Sequence, residues 1–423
     1  MVETALRRKV EYISPTRQRV MGILFLALAF GIWVLFSRPI EPGLTTTYVL
    51  TPGGLEVVLQ PLELPTLTTL NVLATLSAFV GAYQLVRARG FGRHTNKVLA
   101  IVVGMFILGF LTWAAAGRSF NFANMLNIAL SKAVPITLGA LSGVLCERAG
   151  VVNIAIEGMM LMGAMVGSLV GSVSGSLWIG ALSAVLAGGL LGFIHAVLSI
   201  KYVVNQIVSG TVINIFSIGM TSYIASKFLN VYRELNSPGI FPVWEVPILS
   251  KIPFIGPILF NNNMFVYALF LFLIGLHFLL YYTRWGLRLR SVGEHPEAAD
   301  TLGINVFRTR YMAVILGGMM AGFAGAYFTL GSVGRFNEVM TAGRGFIGLA
   351  AMIFGNWNPF GAFGAGLLFG FADSLASIMA ILNVRIPSQF LLMAPYLATM
   401  MVLAGVVGRG QMPAADGQPY EKQ

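Results

Sequence analysis

Two carboxylates stand within long stretches of the chain that are otherwise free of charge. Glu157 directly precedes residues 158–200, a run without Asp, Glu, Lys or Arg, and Asp373 lies in the apolar segment 361–381. An ionisable side chain in such a segment is costly to bury unless it is paired, and it often marks a functional site. We therefore expect both carboxylates to face the interior of a helix bundle.

An amide accompanies the first carboxylate. Asn153 lies four residues before Glu157, a spacing that puts both side chains on one face of a helix. A carboxylate next to an amide suits the recognition of a neutral, hydroxylated solute. Other interpretations remain open, because Glu157 would equally pair with Arg148 or cap a broken helix, and Asn153 would equally bond a neighbouring helix.

Further polar residues stand where apolar segments begin. Arg344 precedes the segment 345–356, where it would anchor the start of a re-entrant helix or line an outer mouth. Asn205 and Gln206 precede the segment 207–226 and fit a membrane interface equally well. The full set of candidates for a solute path is Asn153, Glu157, Asn205, Gln206, Asn214, Arg344 and Asp373.

The residues that hold metals or perform catalysis do not occur in useful patterns. His195, His277 and His295 have no partner at metal-binding spacing, and a single cysteine excludes an intrachain disulfide. There is no Gly-x-x-x-x-Gly-Lys-Ser/Thr loop for nucleotide phosphates. We expect no metal, no cofactor and no catalytic residue, so an intramembrane enzyme is disfavoured.

The polar segment 284–310, here called the loop, carries the local signals of a very short helix. Pro296 suits its first turn, Glu297 suits the positive end of its dipole, and Gly303 suits the position just after its end. A helix of under two turns is unstable alone. It makes sense if it docks into another protein, although an ordinary polar connector fits the same signals.

Composition indicates the solvent in which these residues act. Hydrophobic residues make up 57% of the 423-residue chain and charged residues only 10%, against about a quarter charged in soluble domains. A soluble enzyme and a disordered chain are therefore excluded. The net charge of +11 would point to nucleic acid in a soluble protein; here it fits cytoplasmic loops that fix orientation, with no nucleic-acid partner.

Apolar stretches predict an all-α, polytopic membrane helix bundle of about 10 to 12 spans. The segment 345–356 is too short for a straight crossing, and the first span has no cleavage site after it, which predicts an uncleaved anchor. About two thirds of the lysines and arginines fall on one side if both termini are cytoplasmic. The predicted spans are 20–36, 64–86, 98–117, 128–146, 149–171, 177–200, 207–226, 263–283, 311–331, 345–356, 361–381 and 391–408.

Two glycine-rich stretches resemble each other. One begins at Glu157 and the other at Gly343, and they open the fifth and the tenth span. The odd offset makes the two copies face opposite ways, which predicts a core of two inverted five-helix repeats, as in many transporters. A general likeness of glycine-rich helices would explain the pattern as well. Glycines at small-xxx-small spacing, such as 188/192 and 318/322, predict close helix packing.

Three segments, in this order along the chain, resemble motifs of one transporter family. Residues 147–161 read ERAGVVNIAIEGMML, the loop follows, and residues 341–355 read TAGRGFIGLAAMIFG. Together they resemble the permease subunits of ATP-binding-cassette (ABC) importers for branched-chain amino acids, simple sugars and nucleosides, and most closely the nucleoside (simple sugar) type. The resemblance covers residues 128–408, and residues 1–127 carry no motif of the family.

The resemblance implies a permease subunit of the plasma (inner) membrane whose ATP is bound by a separate ABC ATPase. It further implies a second, related permease, an extracytoplasmic substrate-binding lipoprotein, and the loop as the site of ATPase coupling. The implied coupling residues are Gly293, Glu294, His295, Pro296, Glu297, Ala298, Ala299, Asp300, Gly303 and Ile304. An ion-coupled secondary transporter is the alternative; it explains the buried carboxylates but not the short loop helix.

The resulting organisation has three parts. Residues 1–127 form an N-terminal segment with extra spans and an external insertion at 37–65. Residues 128–408 form the permease core, and residues 409–423 form a disordered cytoplasmic tail.

Overall fold

The computed structural model describes residues 15–52, 59–87, 90–382 and 412–422, together with Phe390 and Met393. Within these ranges ten helices are long and apolar enough to cross a bilayer, which confirms the all-α polytopic bundle. They match ten of the twelve predicted spans. The segment 345–356 forms a helix of only 11 residues, and the predicted span 391–408 lies outside the described residues except for Met393.

The chain divides into two compact units, after Asn124 and around Met379–Arg385. The predicted boundary at residue 127 lies within three residues of the first division. The smaller unit contains α1 (Pro15–Gly31, continued by a π-helical turn to Ser37), α2 (Thr66–Val86) and α3 (Thr95–Ala114). Its core joins Ile32 and Phe36 to Leu70 and Leu73.

Part of the predicted insertion 37–65 pairs as strands. In the smaller unit β1 (Thr45–Val49) pairs antiparallel with β2 (Leu62–Pro65) and parallel with β3 (Ser119–Asn121). The threonine-rich strand β1 suits such pairing because β-branched side chains favour extended backbone. In the larger unit β4 (Val243–Glu245) pairs antiparallel with β5 (Asn261–Asn263).

The larger unit holds the helices that matter for the site. α4 (Phe122–Glu147) leads into it from the smaller unit, and α14 crosses the second division. The remaining helices are α5 (Ile156–Ser174), α6 (Leu177–Ala196), α7 (Gln206–Ile224), α8 (Ile255–Leu259), α9 (Met264–Tyr282), α10 (Arg284–Glu294), α11 (Pro296–Thr301), α12 (Val306–Ala326), α13 (Arg344–Phe354) and α14 (Pro359–Ile381). π-helical turns extend α6 to Lys201, α7 to Leu229 and α12 to Val333.

Glycines bring α5, α6 and α12 into backbone contact. A Cβ on Gly163 would lie 2.7 Å from Cα of Gly322, and one on Gly188 would lie 2.6 Å from the same atom. Helices associate in lipid mainly through such close packing, because lipid supplies no hydrophobic drive. The predicted small-residue pairs therefore lie at real helix contacts and hold α5 rigidly against α12.

Candidate functional site

The carboxylate of Glu157 is buried at the first turn of α5 and caps another helix. Its Oε1 accepts hydrogen bonds from Oγ1 of Thr341 at 2.6 Å and from the backbone N–H of Gly343 at 2.8 Å. Its Oε2 accepts from the N–H of Gly345 at 2.6 Å. These donors belong to the start of α13, where free N–H groups and the helix dipole favour an anion. Of the open interpretations, the geometry matches the cap of a broken helix.

The starts of α5 and α13 meet at this carboxylate. A Cβ on Gly345 would lie 2.6 Å from Cα of Glu157, so only glycine permits the approach. These are the equivalent positions of the predicted repeat, which stays a prediction because the predicted span 391–408 lies outside the described residues except for Met393. The 11 residues of α13 span about 16 Å, half of a hydrocarbon core of about 30 Å. A helix of this length cannot cross the hydrocarbon core alone.

The far end of α13 returns to the end of α4. After α13, the indole N–H of Trp357 donates to Oε2 of Glu147 at 2.6 Å, and Nε of Arg148 donates to the backbone carbonyl of Trp357 at 2.9 Å. Arg148 is thus bound here and does not pair with Glu157. The half-length helix is therefore held at its start by α5 and just after its end by the last residue of α4 and by Arg148.

Residues 148–155, here called the break, are not helical, which corrects the predicted span 149–171. α5 begins only at Ile156, so Asn153 does not share a helical face with Glu157. Instead Oδ1 of Asn153 accepts from the N–H of Ala155 at 3.1 Å, and its Nδ2 lies 3.4 Å from Sγ of Cys146. The amide stabilises the turn in the break and is fully buried.

Side chains of α6 and α7 satisfy the backbone of the break. Oε1 of Gln206 accepts from the N–H of Val152 at 2.7 Å, and the ring of His195 lies 3.0 Å from the carbonyl of the same residue. Asn214 donates to the carbonyl of Ile154 at 2.9 Å and accepts from the N–H of Gly158 at 2.7 Å. Buried backbone groups need such partners. Gln206 and Asn214 therefore hold the break, whereas Asn205 is an exposed cap of α7.

Three ionisable residues of α4, α13 and α14, here called the charged cluster, lie together: Lys132, Arg344 and Asp373. Nη2 of Arg344 lies 3.3 Å from Oδ2 of Asp373. Nζ of Lys132 donates to the carbonyl of Asp373 at 3.0 Å and to Oγ of Ser377 at 2.6 Å. Asp373 stands eight residues before the end of α14, about 12 Å inside it. The side chains of Arg344 and Asp373 remain 27% and 20% exposed.

The loop has the predicted short helix. α11 begins at Pro296, His295 caps it through Nδ1, 3.4 Å from the N–H of Ala298, and Gly303 follows with φ +79°. Glu294, His295, Glu297 and Ala298 are exposed, and Leu302 is 81% exposed at the end of the helix. The exposed face of α11 therefore combines acidic side chains with one apolar side chain.

Other predicted coupling residues face inward. Ala299 is buried and Ile304 is half-buried, while a Cβ on Gly293 would collide with the backbone carbonyl of Arg148. Arg310, early in α12, donates through Nε to the carbonyl of Ala149 at 3.2 Å. The loop and α12 therefore rest directly on the break. Asp300 is half-buried and lies 3.8 Å from Nζ of Lys422.

Residues 412–422, here called the strap, are folded against the loop, which corrects for these residues the disordered tail predicted at 409–423. The N–H of Ala415 donates to the carbonyl of Gly293 at 2.9 Å, and Nη1 of Arg310 donates to the carbonyl of Gln418 at 3.0 Å. The ring of Tyr420 lies 5.4 Å from that of Phe307. These partners lie more than a hundred residues away along the chain, so local composition gave no sign of them.

Asp416 of the strap is buried next to two charged residues, Glu147 and Arg310. Burial away from water raises the pKa of Asp416 to about 6 from its usual 3.8, and the positive charge of Arg310 counteracts part of this rise. Among the described residues no group of three or more His, Cys, Asp or Glu is placed to hold a metal.

Sequence reasoning missed three residues of the site. Lys132 was passed over although it is the only charge within the predicted span 128–146, which was a usable signal. Thr341 opens the motif 341–355 and Arg310 ends the loop, but their bonds to Glu157 and Ala149, 184 and 161 positions away, show in no local pattern.

A bundle of long apolar helices, a half-length helix capped inside it and a docked short-helix loop define a multi-pass membrane permease. The family described as the permease component of the branched-chain amino acid transport system matches residues 124–407, and the chain belongs to that family. The match begins where the smaller unit ends.

Several relatives are ABC transporter permeases. The chain is 40% identical to the guanosine ABC transporter permease protein NupQ of Bacillus subtilis, over 69% of this chain and 94% of the relative. It is 40% identical to the nucleoside permease protein NupC of Lactococcus lactis, over 71% and 99%. It is 33% identical to the putative glucose permease protein TsgC13 of Haloferax volcanii, over 71% and 98%. No solved structure matches the chain.

Proposed function

We propose that the chain is the permease subunit of an ABC importer for nucleosides or simple sugars, driven by ATP that a separate ATPase subunit hydrolyses. The support is membership of the permease family and similarity over nearly the whole length of the guanosine and nucleoside permeases. The observation that carries the mechanism is the physical connection from the loop through the break to Glu157.

The connection consists of successive contacts. Gly293 of α10 rests on Arg148, Gln206 and Asn214 bond the break, and Glu157 bonds the start of α13. An ATPase that moved the exposed face of α11 would push on the break, because close-packed backbone transmits displacement. The proposed coupling residues form two faces: an exposed face that binds the ATPase and an inward face that transmits its movement to the break. They remain Gly293, Glu294, His295, Pro296, Glu297, Ala298, Ala299, Asp300, Gly303 and Ile304.

The charged cluster is the part of the site proposed to line the path. Partly exposed charges at membrane depth avoid lipid and face a water-filled cavity or a protein partner. Lys132 and Arg344 offer donors and Asp373 offers an acceptor, which suits the hydroxyl groups of a neutral solute. The break uses the hydrogen bonds of three other candidates, Asn153, Gln206 and Asn214. We propose that these side chains position the break and do not contact the solute.

The proposed assembly contains an ATPase, a second related permease and an extracytoplasmic binding lipoprotein, in the plasma (inner) membrane. Support for the second permease comes from the guanosine permease protein NupP of B. subtilis, 27% identical, which stands beside NupQ among the relatives. The proposed orientation puts both termini in the cytoplasm; the strap packs on the loop, so these two segments lie on one side. No cofactor of the chain's own is proposed.

Co-purification tests this proposal. The chain is tagged, extracted from its native membrane in mild detergent, and its companions are identified by mass spectrometry. We expect an ATPase and a second permease in stoichiometric amounts. Recovery of the chain alone, with solute uptake that collapses when an ionophore dissipates the ion gradient, would instead establish the ion-coupled secondary transporter.

A further inference from the structure

We propose that the strap is a working part of the coupling apparatus: it locks the loop onto the break, so that movement of the loop moves the break with it. This inference rests on the proposed function and adds an element to it. The proposal rests on a short stretch of backbone, Ala149–Gly150, which three other parts of the chain contact from three sides.

The three sides come from three parts of the chain. Gly293 of α10 presses on the neighbouring carbonyl of Arg148, and Arg310 of α12 bonds the carbonyl of Ala149. On the third side, a Cβ on Gly150 would lie 3.1 Å from the carbonyl oxygen of Ala415 in the strap. Gly150 has φ +83°, so a glycine is required for the backbone as well as for the space.

The strap also holds the loop itself. Besides the bond from Ala415 to Gly293, the N–H of Ala414 donates to Oε2 of Glu294 at 3.3 Å, and Lys422 pairs with Asp300 of α11. α11 has only six residues and cannot be stable alone. The strap therefore fixes both helices of the loop to the break that they must displace.

The contacts distinguish a strap that locks the loop to the break from one that only fills space beside them. Without the strap, Gly293 still touches Arg148 and Arg310 still bonds the carbonyl of Ala149, so a single hydrogen bond would have to pull the break back when the loop retreats. With the strap, Ala415 bonds Gly293 on one side and lies against Gly150 on the other. A transport cycle needs both directions of movement, because the permease must return to its first state.

The test uses the complete transporter in proteoliposomes and measures solute molecules imported per ATP hydrolysed. Tyr420→Ala removes the ring contact with Phe307, and we expect this ratio to fall about twofold to tenfold while the ATPase stays bound. Tyr420→Phe keeps the ring contact and loses only the hydrogen bond of the hydroxyl to Asp300, so it should recover most of the ratio. Glu421→Ala, at an exposed neighbouring position, is the matched control and should leave the ratio unchanged. A normal ratio for Tyr420→Ala would overturn the lock.

A cross-link separates a lock from a gate. Lys422→Cys with Asp300→Cys, in a Cys146→Ala background, is joined by a short bifunctional methanethiosulfonate cross-linker, because the 3.8 Å contact is between the tips of the two native side chains and a direct disulfide needs Cβ atoms about 3.8 Å apart. A lock that travels with the loop predicts normal coupling in the cross-linked state. Uptake that stops on cross-linking and returns when a reductant cleaves the linker would overturn the proposal, because the strap would then have to leave the loop. If the wild-type assembly shows no ATP-driven uptake, the proposed function fails instead.

Discussion

At the residue scale, the carboxylate of Glu157 illustrates what sequence can and cannot reveal. A lone glutamate before a long uncharged run is easily singled out, because charge is scarce in apolar spans. Its hydrogen-bond partners cannot be identified in the same way, because Thr341, Gly343 and Gly345 lie more than 180 residues away along the chain. Asn153 was misplaced for a different reason: helical spacing was applied to a segment that is not helical.

Replacing Glu157 tests the cap. Glu157→Gln puts an amide NH2 against the N–H of one glycine, so a donor meets a donor. We expect the free energy of unfolding to fall by about 1–3 kcal/mol, visible as a lower Tm in detergent. Thr341→Val is the control; it removes one donor and leaves the carboxylate bonded to two N–H groups, so its loss should be smaller. A Tm unchanged by Glu157→Gln would contradict the cap.

Asp416 predicts a pH dependence of strap docking. A carboxyl whose pKa is raised to about 6 on docking binds its proton more tightly in the docked state. Docking therefore strengthens as pH falls from 7 through about 6 towards the ordinary Asp value, by at most about tenfold per pH unit. Glu147 and Arg310 face the same carboxyl and remain in place.

Limited proteolysis of the strap between pH 5 and pH 7.5 measures this effect. We expect cleavage after Lys422, divided at each pH by the rate on a free peptide of the same sequence, to slow as the pH falls, and Asp416→Asn to flatten this ratio. Faster cleavage at low pH, or an Asp416→Asn profile identical to that of the wild type, would show that this carboxyl does not control docking.

At the element scale, the sequence predicted the helices well because about twenty apolar residues in a row have few other folds in a membrane. α11 was also predictable, since Pro296 and Gly303 are local signals. The break was not, because its residues Val151, Val152 and Ile154 are as apolar as those of a span. Gly150, with φ +83°, is a local signal for the end of α4, but the hydrogen bonds from α6 and α7 that keep residues 151–155 out of a helix show in no local pattern.

Helix packing at glycines predicts a strong position effect. A Cβ on Gly325 of α12 would collide with the carbonyl of Met160 in α5, whereas one on Gly275 of α9 would meet nothing within 4 Å. We expect Gly325→Ala to cost about 1–3 kcal/mol of stability, and Gly275→Ala to be neutral or slightly stabilising. Thermal unfolding of the two variants in the same detergent makes the comparison; equal Tm values would contradict the packing.

The docking face of α11 predicts a loss of coupling without a loss of folding. Ala298 and Leu302 are exposed, so Ala298→Arg with Leu302→Arg should leave the Tm unchanged and reduce ATPase binding at least about tenfold. Ala299 is unsuitable for this purpose because it is buried. Arg308→Ala, exposed at the start of α12, serves as the control. Normal ATPase binding by the double variant would place the docking site elsewhere.

At the scale of the whole molecule, the chain consists of a family permease core preceded by a unit that the family does not include. The match starts at residue 124, and nearly the entire length of several permeases corresponds to about seven tenths of this chain. Composition was enough to place the chain in a membrane, and motif order was enough to identify the family. The strap lay beyond both kinds of reasoning, since its contacts depend on the folded loop.

The most direct test of the central claim is solute uptake by the purified complete transporter in proteoliposomes loaded with ATP or with a non-hydrolysable analogue. The substrates are radiolabelled guanosine and glucose, presented with the binding lipoprotein. The proposed function predicts uptake of at least one of them that requires ATP hydrolysis and persists when an ionophore removes every ion gradient. Uptake that is independent of ATP and is abolished by the ionophore would contradict it.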